Sequence, residues 1–118
     1  MGSINVERLR DVSMEDNEFM IELVDLFLDD MPEQLDRLRK AVEQADTDST
    51  AKAAHRIKGA AGNVGADRLS QICGELEQSS RAAEAAPSPA ALAEIEVEWA
   101  RVREGCGVLK DETTSGSG

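Results

Sequence analysis

The sequence predicts an all-α fold, an antiparallel four-helix bundle with a short additional helix at its N-terminal end. Three observations predict it. Helix-forming Ala, Leu, Glu, Arg and Gln dominate the chain, and aromatic residues make up only 3% of it. Apolar residues recur at helical spacing in several successive stretches, with no strand-like alternation. Short polar segments separate those stretches, as expected for helices that pack side by side.

Ile4 to Val12, with Val6 and Leu9 apolar, reads as a short lead-in helix. Ser13 followed by Asp16 approximates a capping box for the next helix. A long stripe then runs through Met20, Val24, Phe27, Met31, Leu35, Leu38 and Val42, in steps of 4, 3, 4, 4, 3 and 4. Pro32 falls inside it and removes a backbone donor, so a kink or break is expected there, with the packing face preserved. The polar turn from Ala45 to Thr50 offers Asp46, Thr47 or Asp48 as N-caps. A third helix is expected over about Thr50 to Gly62, with Gly62-Asn63-Val64-Gly65 as its exit. A fourth begins near Ala66 or Asp67 and carries Leu69, Ile72, Cys73 and Leu76. After a Pro-containing loop, Ser88 is a candidate N-cap with Pro89 at the first helical position. The last stripe is Leu92, Ile95, Trp99, Val102, Cys106 and Leu109, with Trp99 as a core anchor and Glu94, Glu96 and Glu98 as a solvated face. Lys110 to Gly118 is polar and reads as an unstructured tail. Residues 4–112 are therefore expected to form one domain and 113–118 a disordered end. Met1-Gly2-Ser3 and Ser115-Gly-Ser-Gly118 read as residues added to the natural chain.

Composition narrows the function. Lys and Arg number 13 against 24 Asp and Glu, a net charge of −11. That argues against nucleic acid and against anionic membranes, both of which call for a basic face. No apolar run reaches the roughly 20 residues that span a bilayer, and no signal peptide is evident. Cys73 and Cys106 lack metal-ligand spacing and lie at apolar helical positions. They read as buried free thiols, which fits a reducing, cytoplasmic setting.

The informative stretch surrounds His55, the sole histidine. An α-helix turns about 100° per residue, so with His55 at zero, Lys58 falls near −60°, Gly59 near +40° and Gly62 near −20°. Ala53, Ile57, Ala61 and Val64 fall on the opposite side. His55 thus points away from the apolar face and shares its own with one lysine and two glycines. A glycine inside a helix costs about 1 kcal/mol relative to alanine. An exposed face gains no stability from two of them, but it becomes flat enough for close approach by another molecule. Lys58, at i+3, can reach a group attached to the ring. A phosphoryl group adds nearly two negative charges, which that ammonium offsets. An exposed imidazole is a nucleophile at neutral pH. A metal ligand would need companions, and the chain has no Glu-x-x-His or His-x-x-x-His pair. Spacing alone leaves a bystander surface histidine as an open alternative.

The stretch resembles the histidine-containing phosphotransfer (HPt) domain family. That signature is a histidine, then x-x-Lys-Gly, then a small-residue run ending in glycine. Here it is carried by His55, Lys58, Gly59, the Ala60-Ala61-Gly62-Asn63 run and Gly65. A Phe27-Leu-x-x-x-Pro32 helix precedes it and a Leu76-Glu77 helix follows, so the resemblance covers roughly residues 4 to 112. It implies a phosphorelay intermediate without an ATP site, and so not an enzyme in itself. It further implies a part of a hybrid sensor kinase or a separate carrier, monomeric, whose partners are receiver domains. His55 would be the phosphoacceptor, Lys58 the charge partner and Gly59 the point of close access, with Gly62 and Gly65 supporting. Glu77, or its neighbour Gln78, would hydrogen-bond the imidazole. No cofactor is implied, and Mg²⁺ would come from the receiver. A histidine-kinase dimerisation helix fits less well: it expects an acidic residue and a Thr or Asn where this chain has Arg56 and Gly59. A purely structural bundle is the third alternative.

Overall fold

The structure, a computed structural model, describes residues 4–82 and 89–116. It is all-helical among those residues, with α1 (Val6–Val12), α2 (Asn17–Glu43), α3 (Thr47–Asn63), α4 (Asp67–Ala82) and α5 (Pro89–Gly116). No described helix is long and apolar enough to cross a membrane.

Asn5 caps α1, its side-chain oxygen accepting from the Arg8 amide at 3.1 Å. The expected Ser13–Asp16 capping box does not form. Ser13 closes α1 instead, its buried hydroxyl donating to the Leu9 carbonyl at 2.8 Å. Met14 and Glu15, both at positive φ, turn the chain, and Asp16 alone caps α2 through the Phe19 amide. Two left-handed residues between Ser13 and Asp16 place them on different helices.

The long stripe of α2 is buried along its whole length, from Met20 to Val42. The helix runs through Pro32 without a break. Proline forfeits one hydrogen bond, and the apolar contacts of Phe27 and Met31 before it and Leu35 and Leu38 after it hold both halves in place. Asp46 proves to be the N-cap of α3, accepting from the Ser49 amide at 3.0 Å. The expected Ser88 cap lies outside the described residues, and Pro89 does open α5.

α2 packs on α3, α3 on α4, α4 on α5, and α5 back on α2. The core between them includes Ile57, Leu69, Ile95 and Val102. Trp99 is a core residue, set edge-on to Phe27 with ring centroids 5.6 Å apart. Of the α5 glutamates expected on a solvated face, Glu94 is exposed and Glu96 partly so, but Glu98 is a correction. Glu98 is only 4% exposed, with Arg68 and Arg101 each 3.7 Å from its carboxylate. It lies three residues after Ile95 and four before Val102, which puts it on the edge of the apolar stripe. The unstructured tail expected from Lys110 is likewise corrected, because α5 continues to Gly116. Lys110 pairs with Asp25 of α2, anchoring this extension.

Both cysteines are buried and free. Burial pushes the Cys73 thiol up to about 12 and the Cys106 thiol up to about 11, the latter partly offset by the Lys110 charge. Thiolate is the reactive form. Native protein at pH 8 is therefore expected to resist iodoacetamide at both positions, whereas urea-unfolded protein takes up two labels. Mass spectrometry distinguishes the two states.

Candidate functional site around His55

His55 occupies the midpoint of α3. Ala51, Ala54, Ile57 and Ala61 bury the opposite face of the helix. The imidazole is 65% exposed. Its Nδ1 faces inward and meets the Glu77 carboxylate of α4, 3.2 Å from Oε1 and 3.0 Å from Oε2. Gln78, the sequence alternative, is exposed and borders a groove with Lys58, Ser70 and Gly74. Of the two, Glu77 is the one that meets the ring.

Glu77 is a hub. Its side chain is 11% exposed. Oε2 also accepts from Arg81 Nε at 3.1 Å, and Lys58 Nζ lies 3.8 Å from Oε1. Burial pushes the Glu77 carboxyl up, but hydrogen bonds from His55 and Arg81, reinforced by their charges, outweigh it and hold the group below its ordinary value. The carboxylate is thus ionised at neutral pH and can only accept. Nδ1 must carry the proton it donates, so the Nε2 lone pair is free for chemistry on the outer side of the ring.

The glycines divide by role. Among the described residues, a Cβ on Gly59 would meet nothing within 4 Å, so no packing contact there requires glycine. A Cβ on Gly62 would lie 3.7 Å from Ser70 Oγ, an ordinary contact at the α3–α4 seam, and Gly62 is half-buried. Gly65 turns the chain between α3 and α4 at φ +76°, and its Cβ would stand 2.4 Å from the Asn5 carbonyl oxygen. The Asn5 amide donates to the Gly65 carbonyl at 2.6 Å, tying the start of α1 to this corner.

Two further residues belong to the site and were not singled out in the sequence. Arg81 is one; its signal was the i,i+4 spacing from Glu77. Gly74 is the other. A Cβ there would lie 3.4 Å from Lys58 Cδ, so the missing side chain leaves room for the lysine stem across α4. An isolated glycine within a helical pattern is a mark of such close approach.

Residues 22–105 match the Hpt domain family. The fold is similar to that of histidine-containing phosphotransfer protein B (HptB) from Pseudomonas aeruginosa PAO1, at 29% identity and a TM-score of 0.84, over 92% of this chain and 95% of that one. It is also similar to the HPT domain of an Hpt sensor hybrid histidine kinase from Shewanella, at 17% identity and a TM-score of 0.81, over 93% of this chain and 95% of that one; this second likeness concerns the fold alone. Comparison with curated proteins gives no match. The family match spans well over half of the sequence, and the chain belongs to the Hpt domain family, the phosphotransfer modules of two-component signalling.

Proposed function

We propose that His55 is the phosphoacceptor of a phosphorelay, taking a phosphoryl group from a receiver-domain aspartate and passing it to another receiver. The observation that carries this reading is the asymmetric ring: Nδ1 held by an ionised Glu77, Nε2 outward on an exposed imidazole. The Nε2 lone pair attacks phosphorus as the P–O bond to the aspartyl carboxylate breaks, and that carboxylate leaves with the bonding electrons. The ring keeps its Nδ1 proton through Glu77, which disperses the positive charge that develops. Lys58 offsets the charge of the bound phosphoryl. The reverse step delivers the group to the next aspartate.

In this reading the domain acts as a carrier, and the Mg²⁺ and acidic groups of the transfer come from the receiver. The ring of helix contacts, with three-residue connections at 44–46 and 64–66, supports an antiparallel four-helix bundle of α2 to α5 beside α1. A cytoplasmic monomer, free or joined to a hybrid sensor kinase, fits this role.

Gly59 gives an independent check on close approach. Gly59→Ala is expected to stabilise the fold by about 0.5–1 kcal/mol, the helix-propensity difference. The larger Gly59→Gln obstructs the partner and lowers kcat/KM for transfer on the order of tenfold to a hundredfold. Urea unfolding and single-turnover transfer measure the two effects separately.

The direct test is incubation with a receiver domain charged by acetyl phosphate. Acid-labile, base-stable label mapping to the His55 peptide supports the reading. Label elsewhere, or none on the intact domain, overturns it.

A further inference from the structure

A carboxylate beside a phosphohistidine presents a difficulty. It fixes the ring, but its charge repels the phosphoryl group that the ring must carry. Glu77 and Lys58 by themselves cancel, leaving nothing to offset the nearly two charges that arrive. The network around Glu77 contains a third charge. Arg81, in the last turn of α4, donates from Nε to Oε2 at 3.1 Å. Its side chain is 55% exposed, and the bond to Glu77 is its ion pair among the described residues.

The two cations are held differently. Lys58 Nζ stands 3.8 Å from Oε1, beyond hydrogen-bond distance, on a flexible stem laid over Gly74. It can swing to a phosphoryl on Nε2 at little loss. Arg81 is hydrogen-bonded and sits one turn further along the same helix as Glu77.

We propose that Arg81 is a positioning residue for phosphotransfer: it keeps Glu77 charge-compensated and fixed on Nδ1 when Lys58 leaves the carboxylate for the phosphoryl group. Glu77 and Arg81 together then act as a neutral hydrogen-bond acceptor for the ring, as a single carboxamide would. The inference rests on His55 being the phosphoacceptor.

The test is the equilibrium partition of label between a receiver and the domain, measured from both directions. Arg81→Gln is expected to lower the share on the domain by about threefold to tenfold, the scale of one partly screened charge near another. Arg81→Lys retains the charge and should remain within about twofold of the unmodified domain. The double variant Glu77→Gln/Arg81→Gln restores the local charge, and its carboxamide oxygen still accepts from Nδ1–H. It should also return to within about twofold. Unfolding midpoints of all variants are compared, so a general loss of structure is recognised. An unchanged partition in Arg81→Gln overturns the proposal, as does a double variant as low as Arg81→Gln alone. Absence of label on the unmodified domain overturns the assignment of His55 instead, so the two failures are distinguishable.

Discussion

His55→Gln is expected to leave a folded domain that takes up no phosphoryl label from a charged receiver. The carboxamide matches the imidazole roughly in size and can donate to Glu77, but its nitrogen lone pair is delocalised into the carbonyl and does not attack phosphorus. The chain contains no second histidine to substitute for it. The fold loses little, because the ring is 65% exposed and its polar contact is with Glu77, which keeps Arg81 and Lys58 as partners. A stability change within about 0.5 kcal/mol is expected, as for surface substitutions generally. The paired measurement is label incorporation against urea unfolding. Label retained in the variant at more than trace level removes His55 from the chemistry.

Gly65→Val has the converse effect, a large loss of stability at a position remote from the reacting atom. Three costs coincide. The backbone sits at φ +76°, a region that a β-branched residue strongly disfavours. The new Cβ would stand 2.4 Å from the Asn5 carbonyl oxygen, which is main chain and cannot rotate aside. Relief of that clash breaks the 2.6 Å bond from the Asn5 amide to the Gly65 carbonyl. Together these are expected to destabilise the domain by about 3–4 kcal/mol, in the upper range for a single substitution. The urea midpoint should fall with little change in slope. A loss below about 1 kcal/mol would show that the corner relaxes more freely than its hydrogen bonding indicates.

The features legible in the sequence are those set within one helix. The burial of Met20 to Val42, and the outward direction of His55, follow from the 3.6-residue period alone. The Gly62–Gly65 exit was legible because positive φ favours glycine. What escaped depends on a second element. Lys110 reads as tail until Asp25 of α2 is placed beside it. Glu98 reads as solvent-facing until Arg68 of α4 meets it at the edge of the core. At Pro32 the preserved packing face was legible, while the choice between a kink and a break was not, because propensity sees the lost hydrogen bond but not the packing that keeps the helix continuous. Gly74 shows its purpose only once α3 lies against α4, where it makes room for Lys58, whereas the Arg81–Glu77 bond lies within α4 and its i,i+4 spacing was legible in the sequence. The choice between Glu77 and Gln78 is a matter of one helical step, about 100°, which needs the orientation of α4 to settle.

On the proposed reading, the nitrogen that would react faces outward, while the carboxylate bonded to the ring is turned into the seam between two helices. These two halves can evolve at different rates. Residues around the exposed ring can diverge, changing which partner is recognised, without retuning the proton on the far side of the imidazole. Residues in the seam can remain fixed across circuits that share no partner. On that reading, fidelity between parallel signalling lines would reside in the outer surface, and the chemistry beneath it would be a common, interchangeable part.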